Sequence, residues 1–220
     1  MNLVKKLDWD SIFFKKEIGI CNVLNHDVKF NFPSRFDLVY IFSDKELFYN
    51  GFPSCIDKKV VFKKMLSTDK NEAESKVEIY EGELNPELID LAIQSGVYSR
   101  FKLDEKLSPF YESLYTLWIK NSVESDFADY ILIYRLKTKI IGFLTLKEKE
   151  TYFQIGLISV SKEHRGKGIA SALLDKVDSI VRNTKEIRVV SQLDNTSACN
   201  LYLKNGYSQM SLTYIYHLWK

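Results

Sequence analysis

The spacing of apolar residues along this chain switches repeatedly between a period of two and a period near 3.6, with polar turns at the switches. Trp9 to Lys16 reads as a short helix, whereas Asp37 to Phe42 and Lys58 to Phe62 read as strands. The polar, charged run Ser67 to Lys76 then interrupts the pattern as a linker or an exposed loop. Residues 1–75 are therefore expected to form a small N-terminal α/β domain, and residues 76–220 a second domain.

Beyond the interruption, Val77 to Tyr80 alternates like a strand. Pro86 to Ser95 carries a helical stripe of Leu88, Leu91 and Ala92 and is closed by Gly96. A second helix, Pro109 to Val123, places Phe110, Leu114, Leu117 and Trp118 on one side, as a core-facing stripe does. Three strand candidates follow, Tyr130 to Tyr134, Ile140 to Leu146 and Thr151 to Val160, joined by short polar turns as in an antiparallel meander. The third runs into His164 to Ala170, where a helix begins with Ile169, Ala172, Leu173, Val177 and Ile180 on its apolar face. A strand at Ile187 to Ser191 leads to a helix with oxygen-bearing residues Asp194 to Ser197 at its start and Gly206 past its end. The chain finishes on an alternating aromatic stretch, Tyr214 to Trp219. Together these elements predict an α/β (α+β) fold, a mixed and mostly antiparallel sheet with helices on both faces.

Length and charge narrow the function. At 220 residues the chain can bury a core without staples. The three cysteines, Cys21, Cys55 and Cys199, are widely spaced and suggest neither a disulfide framework nor a metal site, which fits a reducing, cytoplasmic setting. A net charge of +2 supplies no broad field for nucleic acid or an anionic membrane. The N-terminal stretch turns acidic at Asp8 before any signal-peptide core develops, and no apolar run is long enough to span a bilayer. Any anion must therefore be bound locally.

The strand-to-helix junction Arg165-Gly166-Lys167-Gly168-Ile169-Ala170 offers such a place. Its glycines allow close backbone approach, the helix start supplies N–H donors and partial positive charge, and Arg165 and Lys167 add cations. The residue pattern of a dinucleotide fingerprint or a Walker loop is absent, so a pyrophosphate of another kind is the expected ligand.

Arg165-x-x-Gly168-x-Ala170 after an apolar strand, followed by Asn195-x-x-Ala198-x-x-x-Tyr202-x-x-x-Gly206-Tyr207, resembles the GCN5-related N-acetyltransferase superfamily over about the C-terminal two thirds of the chain. Leu7 to Phe14, Gly96 to Phe101 and Val190 to Thr196 are similar to a narrower group, the dTDP-fucosamine acetyltransferases, which acetylate the 4-amino group of a nucleotide-linked dideoxy sugar in polysaccharide biosynthesis. The resemblance implies acetyl-CoA as acyl donor, no metal, small-molecule partners and neither nucleic acid nor membrane insertion; it leaves a homodimer open. It implies that Ile158 and Val160 offer backbone groups to the pantetheine arm, that Arg165, Gly166, Lys167, Gly168, Ile169 and Ala170 hold the pyrophosphate, and that Asn195 contacts coenzyme A near the thioester. Where that group presents an arginine before the tyrosine, this chain has Leu201.

Tyr202 matches the general acid of the superfamily, and elementary chemistry agrees. A phenol with pKa about 10 stays protonated at neutral pH and can donate to a departing thiolate whose parent thiol has pKa about 8.5. The competing assignment is a core aromatic, since Tyr202 shares a helical face with Ala198. Ser99, Arg100 and Phe101 are candidates for the acceptor side, with Arg100 on a nucleotide diphosphate and Phe101 on a base or sugar, or else for packing and an ion pair. His164, Glu148 and Glu150 are candidate bases at the sheet edge, or solvated loop residues, and the base stays unassigned. Cys199 reads as a small buried side chain rather than a nucleophile. Open alternatives are a different acceptor amine, on a peptide, a lysine or an aminoglycoside-like molecule, and a non-catalytic acyl-CoA-binding module.

Overall fold

The computed structural model describes residues 4–23, 34–48, 52–65, 76–181 and 186–220. Positions 67–75 of the predicted interruption lie outside the described residues. In chain order the elements are β1 (Lys5–Lys6), α1 (Asp8–Phe14), β2 (Ile18–Val23), β3 (Leu38–Ser43), β4 (Asp57–Met65), β5 (Val77–Ile79), α2 (Pro86–Ser95), α3 (Arg100–Leu103) and α4 (Tyr111–Glu124). They continue with β6 (Tyr130–Leu136), β7 (Lys139–Glu148), β8 (Tyr152–Val160), α5 (Ile169–Ile180), β9 (Glu186–Gln192), α6 (Thr196–Lys204) and β10 (Ser208–Trp219).

The local chemistry explains these boundaries. Asn85 caps α2 by accepting the Leu88 N–H at 3.0 Å, and Pro86 occupies the first turn, where a missing N–H costs nothing. Asn195 caps α6 in the same way through Ala198 N–H. The helix over 86–95 falls where the apolar stripe predicts it. Strand β10 starts six positions before the expected Tyr214, because its first half, Ser208 to Thr213, is mostly polar yet pairs with β4. Strand β2 and the short helix α3 escaped the pattern, since neither carries a repeating apolar period.

All the strands join one ten-stranded sheet in the order β1-β2-β3-β10-β4-β9-β8-β7-β6-β5. Only β2 with β3 and β8 with β9 run parallel; the other neighbours are antiparallel. Helices α5 and α6 cover one face through a core that includes Leu173, Val177, Val60, Phe62 and Tyr202. Helices α2 and α4 cover the other beside β6 and β7, and α1 and α3 extend that layer over β2 and β3. The predicted mixed, mostly antiparallel sheet with helices on both faces is what the chain forms.

The feature that positions a site is an opening inside the sheet. Strands β8 and β9 pair only from Tyr152↔Glu186 to Ile155↔Val189. Past that point β8 stays with β7, up to Val160↔Gly142, while β9 stays with β4, up to Gln192↔Lys59. A bulge in β8 marks the divergence, between the pairs Leu144↔Ile158 and Leu146↔Ile155. There the Thr145 hydroxyl replaces the ladder, accepting the Leu157 N–H at 2.8 Å, and a Cβ on Gly156 would come within 2.8 Å of that oxygen.

Candidate functional site

The divergence of β8 from β9 opens a cleft of about 850 Å³. Backbone polarity makes its β8 wall reactive toward an extended ligand. Ser161 N–H donates to Ile141 O at 2.9 Å, which identifies 141 with 161, and by alternation 143 with 159, as the pairs that exchange hydrogen bonds across β7 and β8. The peptide groups of Ile158 and Val160 therefore point away from β7, toward the gap. One of them is occupied, since Arg165 Nε donates to Val160 O at 2.9 Å.

At the end of β8 the chain makes the glycine turn. Gly166 and Gly168 adopt φ of 74° and 80°, a conformation that favours glycine, and nothing lies within 4 Å of the place a Cβ would take at either. The glycines are thus required by backbone conformation and by an open concavity, rather than by crowding from the protein itself. Gly168 is also the N-cap of α5 and brings no side-chain acceptor to the first turn, so the N–H groups at the start of this twelve-residue helix face the cleft side unmet by a cap. Lys167 Nζ sits on Glu163 O at 3.0 Å, and the Arg165 guanidinium reaches Gln94 Oε1 at 3.4 Å. Gly166, Gly168, Ile169 and Ala170 line the cleft together with Ile158 and Val160.

Helix α6 supplies the opposite wall. Asn195 lines the cleft with its amide oxygen committed to capping α6. Tyr202 lines it too, although it is only 2% exposed, with Phe62 and Tyr207 ring centroids at 5.5 and 5.8 Å. Tyr202 is thus a packed core ring that also reaches the cleft wall. Burial pushes its phenol upward, with the neighbouring Cys199 contributing, so it is protonated throughout the physiological range. Leu201 stands beside it on the cleft wall.

Beyond the gap, on the face covered by α3 and α4, the cleft is lined by ionisable groups that sequence patterning passed over. Asp57 and Lys59 point into it from the head of β4, next to Arg100 of α3 and Tyr115 of α4. Burial pushes the Asp57 carboxyl up to about 6 against the pull of Arg100 and Lys59, and it lowers Lys59 with help from Arg100. Tyr115 is pushed up to about 12 by burial. The strand pattern begins at Lys58 and leaves Asp57 outside it; two half-buried lysines separate Asp57 from the buried Val60 and Phe62, so no local period marks it.

The guanidinium of Arg100 lies 4.0 Å over the Tyr40 ring and 4.4 Å over Phe101. Its Nη1 is 3.5 Å from His217 Nε2, and His217 Nδ1 is 2.5 Å from Asp104 Oδ2, which also accepts from Trp219 Nε1 at 2.9 Å. Burial lowers His217, with Arg100 adding to it against Asp104. Burial opposes ionisation of Asp104, but the hydrogen bonds from His217 and Trp219 prevail and hold it below the usual carboxylate range. The consistent state is ionised Asp104, neutral His217 with its proton on Nδ1, and charged Arg100.

The remaining candidates divide between the cleft, which Ser99, Phe101 and His164 line, and other parts of the fold. The Phe101 ring is 9% exposed and covered by Phe14, Trp118 and Arg100, so it has no free face for a base or sugar. Ser99 is buried and lines the cleft. Glu148 and Glu150 sit at the β7–β8 hairpin, the opposite end of β8 from the gap, because Glu148 pairs with Phe153 before the bulge. His164 lines the cleft at the glycine turn, with Nδ1 2.8 Å from Ser161 Oγ. The Cys199 thiol is raised by burial and lies 3.5 Å from Gln192 O, the environment of a packed side chain. Among the described residues no group of three or more His, Cys, Asp or Glu is placed to hold a metal, and no helix is long and apolar enough to cross a membrane.

Comparison with known proteins agrees with this architecture. A family model described as acetyltransferase (GNAT) family matches residues 89–207, which run from α2 through α6. A dTDP-fucosamine acetyltransferase from Escherichia coli O6:H1 is 29% identical over 133 residues, 59% of this chain and 57% of that protein, so the chain matches little more than half of that relative's length. A streptothricin acetyltransferase from Escherichia coli is 43% identical over 53 residues, 23% of this chain and 30% of that one. A functionally unknown conserved protein from Staphylococcus epidermidis superposes with a TM-score of 0.62 at 13% identity, covering 99% of this chain and 92% of its own, a likeness of fold alone.

Proposed function

Because the chain belongs to the acetyltransferase (GNAT) family, we propose that it transfers an acetyl group from acetyl-CoA to the amino group of a nucleotide-linked amino-dideoxy sugar. The observation that carries this reading is the single cleft that runs from the uncapped glycine turn, through the gap between β8 and β9, to a pocket of ionisable side chains on the other face of the sheet. In this reading the thioester donor lies along the glycine-turn side of the cleft and the amine acceptor reaches it from the ionisable side.

In this mechanism Arg165, Gly166, Lys167, Gly168, Ile169 and Ala170 bind the donor's pyrophosphate, with N–H groups of the α5 start as donors and the two basic residues screening its charge. Arg165 also braces the turn through Val160 O. The backbone groups left over, the N–H and C=O of Ile158 and the N–H of Val160, hydrogen-bond the pantetheine amides as a strand would. Asn195, its oxygen spent on the cap, offers its amide N–H groups near the thioester. The acceptor amine attacks the thioester carbonyl directly. As the tetrahedral intermediate collapses and the C–S bond breaks, Tyr202 gives its proton to the leaving sulfur. Arg100, with Ser99 beside it on the cleft wall, meets the nucleotide's diphosphate. Phe101 supports Arg100 from beneath.

The dTDP-fucosamine acetyltransferase likeness supports the sugar acceptor. A second acceptor class, a small basic antibiotic, is favoured by the short but higher-identity match to a streptothricin acetyltransferase. Thiol release from acetyl-CoA, followed with dTDP-4-amino-4,6-dideoxygalactose and with streptothricin, separates them. Turnover of the sugar nucleotide is the expected result; turnover of streptothricin alone transfers the assignment, and acetyl-CoA binding with neither amine acetylated contradicts it.

A further inference from the structure

The acceptor end of the cleft contains a group that nothing above employs. Asp57 is 6% exposed, lines the cleft, and its Oδ1 has no hydrogen-bond partner among the described residues. An orphaned carboxylate oxygen at that depth is costly unless something arrives to meet it. A primary ammonium is the complementary ligand: it is cationic, it carries three donors, and the reaction proposed above requires one to arrive here and lose a proton.

We infer that Asp57 receives the acceptor's ammonium on Oδ1 and removes its proton, and that Asp104 and His217 act on this step by fixing the position of Arg100. The inference rests on the acetyl-transfer reading and deepens it.

The charged and titratable neighbours explain how one carboxylate can serve. From α3, Arg100 favours ionised Asp57; from β4 itself, Lys59 does the same; Asp194, after β9, opposes them, and Tyr115 of α4 faces it as a neutral phenol. Asp10 of α1 is also drawn down by Arg100 and so competes for its charge. Burial offsets the cations, leaving Asp57 with a midpoint of about 6, ionised at neutral pH yet far more basic than an exposed carboxylate. Because Arg100 is one of the groups pulling this value down, its distance matters. His217 Nε2 accepts from Arg100 while His217 Nδ1 donates to Asp104, so an Asp–His pair with no substrate contact of its own pins the guanidinium. These are positioning residues.

The balance closes. Oδ1 takes one proton from the ammonium and passes it to solvent; the freed lone pair forms the C–N bond; the C–S bond breaks, and Tyr202 protonates the sulfur. The second nitrogen proton leaves as the amide forms and replaces, through solvent, the one Tyr202 gave up. The products are the acetamide, coenzyme A thiol and one released proton.

The test compares wild type with Asp57→Asn, Asp57→Glu and His217→Gln, with dTDP-4-amino-4,6-dideoxygalactose and streptothricin as the amines. For the turned-over amine, Asp57→Asn is expected to lower kcat/KM about 100-fold at pH 7 with acetyl-CoA affinity unchanged, and to abolish an acid limb near pH 6. Asp57→Glu is expected to retain part of the activity and the limb. His217→Gln is expected to move the limb to higher pH, because a loosened Arg100 no longer holds Asp57 down; a merely structural role would lower activity at every pH without moving it. Asp57→Asn within twofold of wild type, or a limb that persists in that variant, overturns the inference. Loss of acetyl-CoA binding in wild type would instead contradict the donor site, and carboxyl 13C titration then judges Asp57 alone: a resonance with midpoint near 6, missing from Asp57→Asn, is expected, and one near 4 overturns it.

Discussion

The Tyr202 hydroxyl is the smallest part of the molecule on which the proposed chemistry depends. Its ring packs against Phe62 and Tyr207 in the core between the sheet and helices α5 and α6, so removing the oxygen alone leaves that packing in place. Tyr202→Phe is therefore expected to lower kcat by about 100-fold, the range of a lost proton donor, with acetyl-CoA affinity within about twofold by calorimetry. Equal turnover would remove Tyr202 from the reaction and leave it a core aromatic. At this scale local spacing singled out Tyr202, Gly168 and Asn195, and all three line the cleft. Spacing was silent on Asp57 and on the Asp104–His217–Arg100 chain, whose members are 113 and 117 positions apart in the sequence. No local period links residues that meet only through the sheet.

At the scale of elements, the donor site depends on two backbone irregularities. The first is the α5 start, where Gly168 holds φ of 80° over open space. Gly168→Asp combines a left-handed backbone, worth about 1 kcal/mol against a non-glycine residue, with a carboxylate in the anion site. We expect acetyl-CoA affinity to fall at least tenfold by calorimetry while the melting temperature changes by only a few degrees; unchanged affinity would dissociate the turn from the pyrophosphate. The second is the β8 bulge, whose Leu157 N–H is satisfied by Thr145 Oγ1. Thr145→Val keeps the shape and removes that acceptor, so it is expected to cost about 1–3 kcal/mol in denaturant unfolding and to weaken acetyl-CoA binding through the altered gap. Full stability in that variant would show the hydroxyl to be dispensable. The longer helices and the meander were legible because their apolar periods are local. The bulge and the true start of β10 were not, because they are settled by what lies across the sheet: Ser208 to Thr213 is polar, yet β4 takes it as a partner.

At the scale of the molecule, the sheet order decides which walls the cleft has. Strand β10, from the end of the chain, lies between β3 and β4, and β4 lies against β9. Asp57 and Lys59, from early in the chain, are thereby brought opposite Tyr202 and the glycine turn, which come from late in it. A net charge of +2 over 220 residues gives no general attraction for a polyanion, so the proposed binding of acetyl-CoA rests on local contacts in this cleft. A crystal structure with acetyl-CoA bound tests that claim most directly. The diphosphate is expected on the main-chain amides of Gly166 to Ala170, the pantetheine arm between β8 and β9 against Ile158 and Val160, and the sulfur within hydrogen-bond reach of the Tyr202 hydroxyl. A donor bound on any other surface, or one whose sulfur faces away from Tyr202, would contradict it.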